Sequence, residues 1–302
     1  MGTTWSARFV APPGLDTAPV RAALVAELDG VIAAMSPWEP MSEISRFNRA
    51  PAGSWHTLSP PFFHVLQAGL ALAEATGGAF DPAAGALVDL WGFGPAPARL
   101  APPTPAQIEA ARAAGGWRGI AIDPPARRAR QPGGARLDLS GIAKGHAVDR
   151  LATRLAAIGH PHALVEIGGE LRGGGVKPDG QPWWVAVEAP PGVAVPPIRV
   201  ALHGLSIATS GDYRRWFDHD GRRHAHSIDP RTGRTVANGI ASVTILHANC
   251  MTADALATAL LVLGTDAALA YADAHDIAAL IVERGDVGTT EHLSPAFAAM
   301  LG

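Results

Sequence analysis

From about Gly119 the chain becomes a succession of short apolar runs: "GIAID", "ARLDL", "HALVEI", "WWVAVEA", "IRVALHG", "LSIATS", "IASVTIL" and "AALIVE". Each is rich in strand-forming residues and bounded by Gly, Pro or polar residues, which marks strands separated by turns. Two longer segments interrupt them with helical spacing, over 142–158 and 251–263, and a third helix is expected over 266–275. Strands joined mainly by turns, with helices inserted in places, point to an α+β fold of mixed sheets rather than a doubly wound parallel sheet.

The first third is helical. Val20, Leu24, Leu28 and Ile32 form one stripe over 18–35. Ser42 caps a short helix in "MSEISRFN". Ser59 is placed to cap a longer one, with Pro60 at its first position and Gly77-Gly78 as its stop. "AFDPAAGALVDLWGFG" reads as a turn and a brief helix, and 105–114 as another helix. No repeat or low-complexity linker marks a boundary, so residues 1–302 are expected to form one compact domain with room for two lobes.

Composition excludes several function classes. Net charge is −3 and the arginines are scattered among acids, so no electrostatic footprint for nucleic acid is present. The one cysteine, Cys250, rules out an intrachain disulfide and gives no zinc spacing. No stretch approaches the ~18 uninterrupted apolar residues of a membrane span. The opening "MGTTWSARFVAPPG" shows no export signal, which makes the expected location cytoplasmic. A periplasmic protein or lipoprotein trimmed of its signal would read the same.

Four places can carry chemistry. In "LDLSGIAKGHAVDRL" an apolar strand is expected to run into a helix beginning at Gly141, with Asp138 and Lys144 at the corner. Free N–H groups and the dipole there suit an anion such as phosphate, with Lys144 adding charge. The plainer reading is a tight corner that Asp138 caps. In "CMTADALATALLVLG", Asp254 and Thr258 are four residues apart on one helical face and offer hard oxygen donors. One carboxylate with neutral oxygens suits Mg²⁺ that also holds a phosphate. Alternatively, Asp254 only favours the helix start and Thr258 bonds back to a carbonyl.

The third place is "RRHAHSIDPRTGR". If a strand runs as far as the Asp-Pro turn, alternation puts His224, His226 and Ile228 on one side of it. Two histidines so spaced lack a third zinc ligand. One facing a cleft can act as a general base, and the plainer reading is a strand histidine bonded to a carbonyl. The fourth is "TGGAFDPAAGALVDLWGFG", where Phe80, Trp91 and Phe93 beside glycines form either a slot for a planar ring or ordinary core.

Taken together these segments resemble the ApbE family, the FAD:protein FMN transferases. The blocks that carry the resemblance are "MGTTWS", "MSPWEPMSEISRFN", "GGAFDPAAGALVDLWGFG", "LDLSGIAKGHAVD", "VEIGGELRGGG", "SIATSGDYRRWF", "HSIDPRTG" and "SVTILHANCMTADALATALLVLG", in the family's order. The resemblance implies an ApbE-like domain with a flavin cleft. It implies Mg²⁺-dependent transfer of FMN from FAD, the substrate, to a threonine or serine hydroxyl of an acceptor protein, with release of AMP. Two rival activities share such a site: a metal-dependent FAD pyrophosphatase and a flavin-binding assembly protein without turnover.

Residue by residue, the resemblance implies that Met1, Trp38, Ala79, Phe80, Asp81, Asp138, Lys144 and Ile228 contact FAD. The Gly141 carbonyl, Asp254 and Thr258 match metal ligands, and His226 matches the catalytic histidine. The chain departs from the family at Trp38, His146 and His224, where tyrosine is common, and at Ala257, where some members carry an acid.

Overall fold

The computed structural model describes residues 2–193, 195–285 and 288–301. The chain divides into two compact units. One comprises Met1–Gly30, Ile142–Gly211 and Gly239–Gly302, and the other Val31–Gly141 and Asp212–Asn238.

The first unit is built on a seven-stranded sheet. Its order is Trp5–Phe9, Ala163–Ile167, Glu170–Gly174, Leu205–Gly211, Ile240–His247, Ala278–Gly285 and Gly288–Leu293, and every pair is antiparallel. This is the α+β fold of sheets with inserted helices that the texture after Gly119 foretells, and the pairing within this sheet is antiparallel. Side chains alternate across a strand. Leu171, Ile207, Leu246, Ala278 and Leu280 therefore share one face, where they pack with Trp183, Val200, Leu202 and Phe297. The opposite face is covered by the helices Ala143–Ala157 and Cys250–Leu263. Ile240–His247, buried along nearly its whole length, shows why "IASVTIL" reads as a continuous apolar run: both faces are covered.

Glu170 follows directly on a tight hairpin. Ile167 pairs with Glu170, and Gly168 and Gly169 between them have φ of 63° and 105°. Two consecutive residues at positive φ favour glycine strongly, which accounts for the Gly-Gly in "VEIGGEL".

The two helices close on each other at Gly145. A Cβ there would lie 2.3 Å from the Cys250 carbonyl oxygen and 2.8 Å from Asp254 Cβ. Gly145→Ala is expected to destabilise the protein by about 1–3 kcal/mol through overpacking. A thermal melt checks this, and an unchanged Tm would show that the helix pair separates freely.

The helices also cap one another. Neither Ile142 nor Asn249, the N-cap residues, makes a side-chain cap bond. Instead Asp149, from the first helix, accepts the Cys250 and Met251 N–H groups at 3.1 and 2.9 Å and pairs with Arg172. Asp254, from the second, accepts the Gly145 N–H at 2.9 Å. Each carboxylate sits on the positive end of its neighbour's dipole.

In the second unit, Trp55–Thr57, Arg128–Arg130 and Ala121–Asp123 form a three-stranded sheet. The helices Glu43–Asn48, Pro60–Ala75, Gly85–Leu90 and Pro105–Ala114 accompany it. Ser42 caps as expected, accepting the Ser45 N–H at 3.2 Å. Ser59 occupies the N-cap position but makes no cap bond; Glu43 accepts its N–H instead.

The strand expected in "ARLDL" does not form, and only Arg136 makes an isolated bridge, to Ala84. Its neighbours find other partners. The Asn48 amide accepts the Leu137 N–H at 2.7 Å and donates to its carbonyl at 2.9 Å, and the Asp138 N–H reaches the Pro82 carbonyl. A side chain thus does what a strand neighbour would do. The following helix likewise starts at Ala143, later than Gly141.

Candidate active site

In the first unit, Asp254, Thr258 and Lys144 come together. The Cys250–Leu263 helix is buried on almost all sides, so Asp254 is only 2% exposed. A bare carboxylate so placed costs several kcal/mol unless charge and hydrogen bonds compensate it. Lys144 Nζ lies 3.3 Å from its Oδ1, and the Gly145 N–H donates to Oδ2. Thr258, one turn later, has its hydroxyl 3.1 Å from Ser210 Oγ and 3.3 Å from the Asp254 carbonyl. The back-bond weighed from the sequence is therefore present, together with a hydroxyl partner on the sheet.

Glu170 completes the group and escaped the sequence reading. Its Oε1 is 2.5 Å from Lys144 Nζ. Burial is the main cause that lifts its carboxyl, to about 7, with the Asp254 charge adding to this and Lys144 opposing it. Burial works against the Lys144 ammonium, but Asp254 and Glu170 outweigh it and hold the group above its ordinary range. Two carboxylates around one ammonium leave the cluster an attractive place for a further cation. Cys250, at the start of the helix, is buried; desolvation first, then Asp149, Asp254 and Glu170, push its thiol well up.

The anion site expected at the start of the Ala143–Ala157 helix is altered by this arrangement. Of the N–H groups free at a helix start, that of Gly145 is already taken by Asp254. What this corner presents besides backbone is the Lys144 charge.

In the second unit the remaining residues fall into three places. Asp81 and Asp138 lie on neighbouring loops, joined by the bond from Asp138 N–H to Pro82. Asp81 accepts the Ala83 and Trp117 N–H groups at 2.7 and 3.2 Å, and Asp138 accepts that of Ser140 at 2.8 Å. Burial raises the carboxyl of each, against the pull of those same bonds. Ala79 and Phe80 are core, with Phe80 against Gly69 of the Pro60–Ala75 helix. A small open hollow next to Asp81 is lined by Leu87, Ala111, Arg112 and Pro230.

The second place is an aromatic cluster. Trp91, Phe93, Phe217 and Ile228 pack together, and Trp91 Nε1 donates to the Gly233 carbonyl at 2.8 Å. His224 stacks on Phe217 at 5.0 Å, and burial followed by the Arg222 charge lowers its pKa. His226 meets the edge of Phe93 at 6.4 Å. Arg215 braces both: its carbonyl accepts the His226 N–H at 2.9 Å, and its guanidinium donates to the Phe93 carbonyl at 3.0 Å. The alternation expected for His224, His226 and Ile228 is broken, because the strand Arg222–Ala225 ends before His226. His226 is held by one further ladder bond and lies between two short strands.

Trp38, the third place, is 48% exposed on the turn after Ala18–Met35. Gly141 is the last residue of the second unit's long segment. Met1 lies outside the described residues.

Among the described residues, no group of three or more His, Cys, Asp or Glu is placed to share a metal ion. Around Lys144 the structure gathers the carboxylates of Asp254 and Glu170, with the Thr258 hydroxyl bonded to the Asp254 carbonyl. Nor is any helix among the described residues long and apolar enough to cross a membrane.

Comparison with known proteins gives a consistent result. The ApbE family profile matches residues 1–281. A Vibrio cholerae protein named FAD:protein FMN transferase is 38% identical, the match covering 100% of this chain and 90% of the relative. The solved flavin transferase ApbE of Vibrio cholerae superimposes with a TM-score of 0.92 at 37% identity, covering 99% of this chain and 96% of that one. The apo flavinyl transferase ApbE of Pseudomonas stutzeri gives 0.91 at 37% identity, covering 100% and 94%.

Proposed function

The chain belongs to the ApbE family, and from that premise we propose that it transfers FMN from FAD to a threonine or serine hydroxyl of an acceptor protein and releases AMP. The observation that carries this reading is the buried Asp254 carboxylate, with the Thr258 hydroxyl one turn on and the Lys144 ammonium beside it.

The donor set fits Mg²⁺. It consists of hard oxygens, one of them a buried carboxylate. Asp254 and Thr258 would hold the ion, with the Gly141 carbonyl as the family's third ligand. When bound, the ion would neutralise the pyrophosphate and polarise the phosphorus under attack. Lys144 would stabilise charge on the non-bridging oxygens.

His226, held by Phe93 and Arg215, takes the proton of the incoming hydroxyl. The hydroxyl oxygen bonds to the FMN phosphorus, the bond from that phosphorus to the AMP oxygen breaks, and AMP leaves in line. Trp38, Ala79, Phe80, Asp81, Asp138 and Ile228 are assigned to holding FAD, and Met1 is added by the family pattern. Ala79 and Phe80, being core, would act mainly by shaping the loop that carries Asp81.

The test is a mass measurement. Protein, FAD, Mg²⁺ and an acceptor protein bearing a candidate threonine or serine are incubated together. The acceptor should gain one FMN less water as AMP accumulates. Free FMN and AMP without that gain would make the protein a pyrophosphatase. FAD retention without AMP would leave a binding protein.

A further inference from the structure

The two carboxylates that hold Lys144 are not equivalent. Both oxygens of Asp254 are engaged, Oδ1 by Lys144 and Oδ2 by the Gly145 N–H. Glu170 is closer to the ammonium, at 2.5 Å against 3.3 Å. Its second oxygen, Oε2, is buried and has no hydrogen-bond partner among the described residues. Glu170 is also fixed in place, because it pairs with Ile167 across the Gly168-Gly169 turn. An ammonium has three donors, so Glu170 retains the capacity to accept another from Lys144.

This inference rests on the reading that Asp254 binds a divalent cation. Such an ion and the Lys144 ammonium compete for one carboxylate and repel each other. A lysine driven off Asp254 with no other anion would be a poorly compensated charge, and that cost would be charged to metal binding. We propose that Glu170 is a positioning residue that takes over Lys144 when Asp254 engages its cation, releasing that carboxylate while keeping the ammonium beside the reacting phosphate. The spare Oε2 is the acceptor that receives the transferred N–H.

The test is a double-mutant cycle read as metal affinity. Mn²⁺ is titrated into the whole protein with FAD present, and free ion is counted by electron paramagnetic resonance. Glu170→Gln keeps the shape and removes the charge, and should weaken Mn²⁺ binding by about tenfold. In a Lys144→Met background the same change should have less than about a twofold effect, since no ammonium remains to be received.

Unchanged affinity in Glu170→Gln would overturn the proposal. Equal weakening in both backgrounds would do so too, by making Glu170 a distant charge. If Glu170→Gln does not fold, Glu170→Asp serves: it keeps the charge but withdraws the carboxylate by one methylene, and full affinity in it overturns the proposal. Wild type and Asp254→Asn are run alongside. Failure of wild type to bind Mn²⁺ removes the metal reading and this inference together. Binding that Asp254→Asn abolishes and Glu170→Gln leaves untouched removes this inference alone.

Discussion

Asp254→Asn abolishes Mg²⁺-dependent turnover, with kcat/KM falling by about 10³-fold or more, while the metal-free protein melts near the wild-type temperature. The size follows from what the ion supplies, several kcal/mol of charge stabilisation, at ~1.4 kcal/mol per factor of ten. The choice of asparagine matters. Asp254 also caps Gly145, and an alanine would remove that acceptor along with the charge. Asparagine keeps an oxygen for the Gly145 N–H, so loss of activity is separated from loss of fold. Steady-state kinetics over a range of Mg²⁺, with a thermal melt in chelator, check both parts. Turnover at the wild-type rate would remove Asp254 as a ligand.

His226→Ala lowers transfer to the acceptor by about 10²–10⁴-fold, the usual loss when a general base is removed, and leaves FAD affinity within a few-fold of wild type. The side chain meets the edge of Phe93, and its backbone is held by Arg215. Truncation therefore spares the Trp91, Phe217 and Ile228 packing that shapes this part of the unit. FAD fluorescence gives affinity and acceptor mass gives transfer. Should binding collapse while transfer per bound FAD survives, His226 is a packing residue and the base lies elsewhere.

What the sequence discloses depends on how local each signal is. The helix Ala18–Met35 is readable to its ends, because its stripe and its flanking turn lie within its own segment. The Asp254/Thr258 pair is readable for the same reason: a four-residue spacing on a helix is a local fact. Glu170 was missed because nothing near it in sequence explains it; its partner Lys144 is on another element of the sheet-and-helix layer. "ARLDL" misled because its pattern is that of a strand while its partners are the Asn48 side chain and the Pro82 carbonyl. The caps of the two central helices were invisible on the same ground: Ile142 has no capping group, Asn249 leaves its own unused, and the carboxylates that serve them come from far along the chain.

That exchange of carboxylates has a consequence for biosynthesis. The amides of Gly145 and Met251 are bonded to acids 109 and 102 residues away in sequence. As the chain leaves the ribosome, the front of the first helix must wait for Asp254 to be translated before it can close. Neither half of the pair can be completed early, so the acid that would carry the cation is also among the last pieces needed to lock that layer of the nascent protein.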